Sequence, residues 1–369
     1  MDSQGTFINE GDVMMTAINV LVVDDSAFMR RVISDIINSD PSIHVVGTAR
    51  DGKDALQKIE QLKPDVITLD VEMPMMDGME TLKTIMSSNP LPVIMLSSLT
   101  QNGADYTIKA LQLGAIDFVP KPSGQISLDI DKVKEDIVKK IKIAAGTKHK
   151  LQNSNIEQDF VPPSREIVDK VIDPGRQLSK LVLIGTSTGG PKALHQVLPK
   201  LPARLNAGIL VVQHMPPGFT KSLAERLNAL SQIKVKEAED GELVLPGCAY
   251  ITPGDYHLNV VSKVNGSRKE LQIKLSQKPP RGGHRPSVDE MLESVAAQYW
   301  SEIVCVIMTG MGKDGTEGLK FIKNRGGRVI AEDQSSCVVY GMPKAAYESG
   351  FVDKVVPLRS ISEEVLKML

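Results

Sequence analysis

Short apolar runs rich in valine and isoleucine alternate with amphipathic segments along most of the 369-residue chain. In the N-terminal part these runs are Val20–Val23, Val45–Gly47, Val66–Leu69, Val93–Leu96 and Phe118–Val119. Each run is continuously apolar, which is typical of strands buried on both faces of a parallel sheet. The segment Ser26–Asn38 repeats apolar residues at three- and four-residue steps and therefore predicts an amphipathic helix.

Five strand–helix pairs fit between Ile18 and Ile143, with Asp131–Ile143 as the last helix. Strands that alternate with helices form a parallel sheet covered on both faces. Residues 18–144 are therefore predicted to be a doubly wound α/β domain with (βα)5 topology. Residues 1–17 are expected to be a disordered N-terminal extension, with Met14 or Met15 as alternative start sites.

The alternation stops in residues 145–179, a polar stretch that contains three prolines and is predicted to be an interdomain linker. The alternative is an irregular surface excursion of one large domain. A second alternation begins at Leu181, and residues 180–369 are predicted to form a second doubly wound parallel-sheet domain of Rossmann-like type.

The elements predicted for this second domain are strand Leu181–Gly185, helix Pro191–Leu201, strand Ile209–Gln213, helix Phe219–Leu230, helix Val288–Trp300, strand Ile303–Met308, helix Gly315–Asn324 and strand Arg328–Ala331, followed by a short helix, a strand and a final helix. The intervening segment Lys234–Gln277 is less regular. Its alternating Leu271, Ile273 and Leu275 predict a hairpin.

Composition and charge exclude several classes of protein. A net charge of −2 gives no basic field that would hold a nucleic acid. The longest apolar stretch, Ile303–Gly312, is about half of the ~20 residues that a membrane-spanning helix needs. Three widely separated cysteines, Cys248, Cys305 and Cys337, favour a reducing compartment over a disulfide framework. These features, and an N-terminus unlike a signal peptide, predict a cytoplasmic protein.

Charged and polar residues follow the predicted strands of the first domain. Asp24 and Asp25 follow the first strand and Asp70 the third, while Ser97 ends the fourth and Lys121 follows the fifth. The carboxyl ends of parallel strands meet at one crevice, where clustered carboxylates suit Mg²⁺. Carboxylates, a cation and a hydroxyl together favour phosphoryl transfer. The alternative is that the aspartates only cap helices and loops.

The segments VVDDSAFMR, DVITLDVEMPMMDGMETL, LSSLT and GAIDFVPKP resemble the flavodoxin-like receiver domain of two-component response regulators. This resemblance implies that Asp70 accepts a phosphoryl group. The implied Mg²⁺ ligands are Asp24, Asp25, Asp70 and the backbone carbonyl of Glu72, and the implied switch residues are Ser97, Lys121 and Phe118. A receiver indicates that an activity is switched without indicating which activity.

The second domain contains GTSTG at Gly185–Gly189, which matches G-x-S-x-G between a predicted strand and a predicted helix. That context exposes a nucleophilic serine on a tight turn, so Ser187 is the candidate nucleophile. The alternative is a glycine-rich turn that packs a helix or binds a phosphate through its backbone.

A nucleophilic serine needs a base, and the chain has six histidines. Only His214 directly follows a buried strand at the sheet edge where Ser187 is expected. We expect His195, on the following helix, to be solvated, and His257 and His284 fall in irregular segments.

Asp314 follows the strand Ile303–Met308 at the same edge and is predicted to orient His214 and balance its charge. The order Ser, His, Asp differs from that of α/β-hydrolases. Glycines 310, 312 and 315 allow backbone amides, including that of Met311, to approach an oxyanion.

The same glycines create an alternative. The segment Gly310–Gly315 matches G-x-G-x-x-G after a strand, and Glu332 and Asp333 follow about 20 residues later, as in a dinucleotide site. That interpretation leaves GTSTGG and His214 without a role.

The segments LIGTSTGGPKAL, VVQHMPPGFTKSLAERL, AYITPGDYHL, HRPSVDEMLESVA, VIMTGMGKDGTEGL and EDQSSCVVYGMPKAA resemble the catalytic domain of chemotaxis protein-glutamate methylesterases. The resemblance implies Ser187 as nucleophile, His214 as base and Asp314 as orienting acid, with Met311 at the oxyanion and Thr188 beside the nucleophile. It also places Arg285–Asp289 near the cleft.

What this second resemblance implies is a phosphorylation-activated hydrolase that demethylates glutamyl methyl esters, and deamidates selected glutamines, on methyl-accepting chemotaxis receptors. The chemotaxis histidine kinase is the implied phosphodonor, and the chain would reach the membrane only through the receptors. Mg²⁺ is implied for phosphorylation of the receiver and no cofactor for the ester chemistry. The unphosphorylated receiver is implied to lie over the catalytic crevice.

Overall fold

A computed structural model of the chain describes residues 17–121, 130–153, 177–265, 268–298 and 302–369. The predicted extension up to residue 16 and linker residues 154–176 lie outside the described residues. The described residues form two parallel sheets flanked by helices, together with one two-stranded hairpin.

The first sheet has the strand order β2-β1-β3-β4-β5, and all its pairs are parallel. Its elements are β1 (Ile18–Val23), α1 (Ala27–Asn38), β2 (Ile43–Ala49), α2 (Gly52–Leu62), β3 (Val66–Asp70), α3 (Gly78–Ser88), β4 (Val93–Ser97), α4 (Gln101–Leu113), β5 (Asp117–Pro120) and α5 (Ile130–Asn153). Helices α1, α2, α3 and α4 each begin after a Ser, Asp or Thr whose side chain accepts a backbone N–H. The central strands β3 and β4 are wholly buried and β1 largely so, as their apolar patterns predict, whereas the edge strands β2 and β5 are only partly buried.

The second sheet has the order β14-β13-β12-β6-β7-β9-β8 and is also parallel. Its elements are β6 (Lys180–Thr186), α6 (Gly190–Val197), β7 (Gly208–Gln213), α7 (Phe219–Leu230), β8 (Lys234–Glu237), β9 (Cys248–Ile251), the hairpin strands β10 (His257–Asn265) and β11 (Arg268–Ser276), α8 (Val288–Gln298), β12 (Glu302–Ile307), α9 (Thr316–Asn324), β13 (Arg328–Glu332), α10 (Met342–Glu348), β14 (Lys354–Val356) and α11 (Ile361–Met368). Later strands are added on both sides of β6, so the strand order reverses there. A crevice opens at such a point, beyond the carboxyl ends of the strands.

Two of the strands were not predicted. Strands β8 and β9 extend the second sheet beyond β7, whereas the sequence predicts only a hairpin between Lys234 and Gln277. The hairpin exists as β10–β11. Strand β8 has the sequence KVKE at the sheet edge and buries only Val235, so it has no apolar run that would reveal it.

The last helix of the first domain continues past the boundary predicted at residue 144, to Asn153. Thr147 is buried and donates a hydrogen bond to the carbonyl of Ala144. The Lys148 ammonium lies 2.6 Å from Asp65 Oδ1. These contacts fasten the additional helical turns to the first domain, although their polar sequence resembles a linker.

Apolar strand residues from both sheets dominate the buried clusters. Within the residues that the structure describes, none of the helices is long and apolar enough to cross a membrane.

Candidate active site and receiver crevice

Ser187 lies in the tight turn between β6 and α6. Its amide donates to the carbonyl of Thr309 at 3.1 Å, and its own carbonyl accepts the amide of Gly190 at 2.8 Å. Gly189 has φ +80°, which favours glycine. A Cβ on Gly310 would lie 2.8 Å from Ser187 Cβ, so only glycine there lets the two loops approach.

His214 and Asp314 meet beside this turn. His214 follows β7 and its amide donates to the carbonyl of Thr186 at 3.1 Å, which places it next to the serine. Its Nε2 lies 2.7 Å from Asp314 Oδ2. Both side chains are more than nine-tenths buried, so water screens the interaction weakly. The structure therefore brings Ser187, His214 and Asp314 to one end of the sheet, on both sides of the crevice.

The Asp314 carboxylate is held at the start of α8. Its Oδ1 accepts the Ser287 hydroxyl at 2.8 Å and the Asp289 amide at 3.1 Å, while its Oδ2 accepts the Val288 amide at 2.7 Å. Burial alone raises the pKa of Asp314, but the hydrogen bond and charge of His214 and these amides hold the pKa well below its usual range. The Arg285–Asp289 segment therefore keeps Asp314 ionised.

The orientation of His214 leaves one ring nitrogen for the serine. Nδ1 is buried and has no hydrogen-bond partner among the described residues, whereas Nε2 is engaged by Asp314. Protonation of Nε2 makes Nδ1 the acceptor. This is the reverse of the nitrogen assignment in chymotrypsin-type triads. Nδ1 is therefore the ring nitrogen that remains to accept a proton.

The sequence gives no indication that His284 contacts the site. Its ring stacks on that of His214, with centroids 4.0 Å apart and planes inclined by 4°. His284 lies in the irregular segment before α8 and is the first residue of the HRPSVDEMLESVA segment. That segment suggests a place near the cleft, but neither periodicity nor the motif indicates the stack on His214.

The prediction that His195 is solvated is wrong. His195 is 5% exposed, and its Nδ1 lies 2.6 Å from the carbonyl oxygen of Pro191 one turn earlier. Burial lowers its pKa to about 4. Helix α4 of the first domain packs against α6, a contact that the local pattern of α6 cannot show.

The dinucleotide alternative is not supported, because both of its acidic residues are engaged in hydrogen bonds. Glu332 is fully buried; its Oε2 accepts the Thr309 amide at 2.8 Å and its Oε1 the Ser336 hydroxyl at 3.0 Å. Asp333 Oδ1 accepts the Ser335 amide at 2.9 Å and the Ser335 hydroxyl at 2.5 Å. Glu332 therefore holds the loop that carries Thr309.

The crevice of the first domain gathers Asp24, Asp25 and Asp70, whose carboxylate oxygens lie within 4.8 Å of one another. Asp25 is exposed, and Lys121 Nζ lies 2.9 Å from Asp24 Oδ2 and 2.6 Å from Asp70 Oδ2. Burial raises the pKa of Asp70 to about 6, which Lys121 opposes. Three clustered hard oxygen ligands fit Mg²⁺. Glu72 lies two residues after Asp70 in the sequence, and its amide donates to Asp70 Oδ1 at 3.4 Å.

Two predicted switch residues make their contacts with residues other than Asp70. The Ser97 hydroxyl is buried, within hydrogen-bond distance of the carbonyls of Ser98 and of Gly103 in the first turn of α4. Phe118 is buried, and its ring stacks on Phe219 of α7, with centroids 4.4 Å apart. The structure therefore places Phe118 in the contact between the two domains rather than in the acidic crevice.

A second contact joins the start of β5 to the turn that carries Ser187. The Thr188 hydroxyl, next to Ser187, donates to Asp117 Oδ2 at 2.6 Å. Asp117 also faces Lys140 Nζ at 3.5 Å, and that ammonium donates to the carbonyl of Phe118 at 2.6 Å. Burial lowers the pKa of Lys140, but Asp117 and Asp136 outweigh it and the pKa is raised. The first domain therefore holds Thr188, the residue beside the candidate nucleophile, by a hydrogen bond.

Comparisons with known proteins match both parts of the chain. The family model for the CheB methylesterase matches residues 182–365, and that for the response regulator receiver domain matches residues 20–130. The protein-glutamate methylesterase/protein-glutamine glutaminase 1 of Syntrophomonas wolfei is 60% identical over 350 residues, which cover 95% of this chain and 99% of that protein. The protein-glutamate methylesterase/protein-glutamine glutaminase of Bacillus subtilis is 50% identical and covers 94% and 97%, respectively.

A solved structure, that of the Thermotoga maritima CheB methylesterase catalytic domain, is 49% identical, covers 52% of this chain and 99% of that chain, and has a TM-score of 0.49. The fold and the two matched regions define a two-domain α/β enzyme in which a receiver precedes a catalytic domain. The chain belongs to the protein-glutamate methylesterase/protein-glutamine glutaminase family.

Proposed function

We propose that this chain is a phosphorylation-activated serine hydrolase that removes methyl groups from glutamyl methyl esters, and ammonia from selected glutamines, of methyl-accepting chemotaxis receptors. A serine, a histidine and an aspartate at one crevice suit acyl transfer, and the family supplies the substrate class. Removing the methyl group restores a negative charge on the receptor, which gives sensory adaptation.

In the first step Ser187 Oγ attacks the side-chain carbonyl carbon of the ester while His214 Nδ1 takes its proton. The tetrahedral intermediate collapses, the carbon–oxygen bond to the methoxy group breaks, and methanol leaves with the proton from His214. His214 Nδ1 then takes a proton from a water molecule, which attacks the acyl-enzyme, and returns it to Ser187 Oγ. The receptor's glutamate side chain and free Ser187 result. With glutamine the leaving group is ammonia.

Asp314 serves this cycle by fixing the His214 tautomer. Its hydrogen bond to Nε2 keeps the proton there, and its charge stabilises the imidazolium that forms when Nδ1 accepts the serine proton. The amide of Met311 and the N-terminus of α6 are the donors that we assign to the oxyanion, with Thr188 supporting the turn. The ester chemistry requires no cofactor.

The receiver supplies the regulation. Asp24, Asp25, Asp70 and the Glu72 carbonyl would hold Mg²⁺, which neutralises phosphoryl oxygens when bound. Asp70 accepts the phosphoryl group from the chemotaxis histidine kinase, and Lys121 contacts it. Because Phe118 and Asp117 contact the catalytic domain, we infer that phosphorylation loosens this contact and uncovers Ser187. The protein then acts in the cytoplasm, on receptor stalks.

The observation that carries the proposal is the 2.7 Å contact of His214 with Asp314 beside the Ser187 turn. The test is methanol release from methylated receptor membranes by the full chain with acetyl phosphate and Mg²⁺. We expect Ser187→Ala to abolish release, whereas Ser87→Ala, at an exposed serine of α3, leaves it unchanged. Full activity of a folded Ser187→Ala variant contradicts the assignment.

A further inference from the structure

His284 provides the flat surface on which His214 lies. The two imidazoles are nearly parallel, with centroids 4.0 Å apart, so the His284 ring stacks on one face of His214. His284 is half-buried at the rim of the crevice. The stacked ring is therefore part of the surroundings of the proposed base, although it contacts neither Asp314 nor Ser187 through any described hydrogen bond.

The loop that carries His284 is built to hold it in place. The amides of Arg281 and His284 each donate to the other residue's carbonyl, at 3.0 and 2.9 Å, and the two residues between them have φ of +59° and +84°. Both intervening residues are glycines, which tolerate this left-handed turn. Arg281 Nη2 lies 2.6 Å from Glu293 of α8 and 3.1 Å from Glu317 of α9. The turn is thus anchored to two helices.

We propose that His284 is a positioning residue that holds the plane of the His214 ring, with Nε2 on Asp314 and Nδ1 left as the proton acceptor. The Asp314 contact fixes only one edge of the ring, so the ring could still tilt about the line from Nε2 to the carboxylate. A flat neighbour on one face blocks that tilt. Misplacement of a reacting group by about 1 Å can cost about 100-fold in rate, so such support has a measurable effect.

The charge state of His284 agrees with this role. Burial and the nearby His214 charge lower the pKa of His284 to about 4; Asp314 opposes this shift and Lys139 of α5 adds to it. His284 is therefore neutral above that pH. An imidazolium forming on His214 then lies over an uncharged ring, and a second positive charge does not oppose it.

This inference rests on the proposed function, and the test compares two replacements in the full chain with acetyl phosphate and Mg²⁺. His284→Phe keeps a flat ring, and we expect methanol release to stay within about threefold of wild type. His284→Leu removes the flat ring, and we expect kcat to fall by about 10- to 100-fold with KM within about twofold. His44→Leu, at an exposed histidine of β2, is the matched control. Equal kcat values for His284→Phe and His284→Leu, whether both high or both low, overturn the proposal.

A measurement without turnover separates this inference from the proposed function. Nitrogen-15 NMR of the histidine rings reports the tautomer of His214 whatever the enzyme hydrolyses. We expect wild type and His284→Phe to show one tautomer with its proton on Nε2, and His284→Leu to show an averaged signal. An unchanged His214 signal in folded His284→Leu overturns the positioning role. If only the assignment of Ser187 as nucleophile proves wrong, the expected NMR result for His214 is unchanged.

Discussion

Four hydrogen-bond donors converge on the two oxygens of Asp314: the His214 ring, the Ser287 hydroxyl and two amides at the start of α8. A buried carboxylate with this many donors is stable only when ionised. The same charge would stabilise an imidazolium on His214. Asp314 thus holds the loop at the start of α8 and, in the proposed mechanism, also prepares His214 for proton transfer.

Asp314→Asn tests the residue that orients the base. An amide has one acceptor oxygen where the carboxylate has two, so its NH2 group must face a donor and the His214 tautomer is no longer fixed. We expect kcat for methanol release to fall by about 10³- to 10⁴-fold, as for the equivalent change in other triads. Asp240→Asn, at an exposed ion pair with Lys274, is the control. A folded Asp314→Asn enzyme that retains a tenth of wild-type kcat contradicts the assignment.

The buried His195 makes the stability of the catalytic domain depend on pH. Its pKa is about 4 in the folded protein against 6.5 for an exposed histidine, so the unfolded chain binds the additional proton between these values. The buried, neutral His195 ring makes its full contribution to the free energy of unfolding above pH 6.5. This contribution, up to about 3 kcal/mol, is lost as the pH falls towards 4. Urea unfolding followed by fluorescence of Trp300, the single tryptophan, measures it.

His195→Asn is the matched variant, since asparagine keeps an N–H donor for the Pro191 carbonyl but does not titrate. We expect it to lose less stability than wild type between pH 7 and pH 4. Parallel stability curves for the two proteins are the result that this prediction excludes.

At the scale of elements, the nucleophile turn is coupled to β5 of the receiver through Thr188 and Asp117. Asp117→Asn weakens the hydrogen bond to the Thr188 hydroxyl by removing the charge of its acceptor, and also weakens the contact with Lys140. We expect the unphosphorylated enzyme to become several-fold more active, with the rate after acetyl phosphate unchanged. Methanol release with and without phosphodonor gives both rates.

The control for this change is Asp35→Asn, which removes an exposed ion pair with Arg31 on α1. It should leave both rates at their wild-type values. If Asp117→Asn leaves the unphosphorylated rate unaltered, the hydrogen bond to Thr188 does not restrain the active site.

The elements that the sequence predicted well are those whose pattern is local. Helix α7 occupies the predicted range, and strands β6, β7 and β12 lie within one or two residues of theirs. Their carboxyl ends carry Ser187, His214 and Asp314, so topology alone was enough to bring these residues together. His284 could not be predicted, because its place depends on a left-handed glycine turn and on ion pairs with two distant helices.

At the scale of the whole molecule, the contacts between domains were beyond the reach of local patterns. The stacking of Phe118 on Phe219 joins β5 to α7, which lie about a hundred residues apart in the sequence. Helix α4 of the first domain also packs against α6, the helix that carries His195. The family resemblance implied that the receiver covers the crevice. Which side chains make the contact between the domains could be seen only in the structure.

A fragment of residues 177–369 tests whether the receiver restrains the enzyme. It contains all of the second sheet and the residues around Ser187, and it lacks Asp117 and Phe118, so Thr188 and Phe219 lose their partners on the receiver. We expect methanol release without phosphodonor, at or above the rate of the phosphorylated full chain. Full-length Asp70→Asn should remain at the basal rate with acetyl phosphate, because it lacks the proposed acceptor. The fragment carrying Ser187→Ala gives the background. A fragment that is folded by circular dichroism but releases no methanol means that the receiver is needed for catalysis, and the restraint model is then wrong.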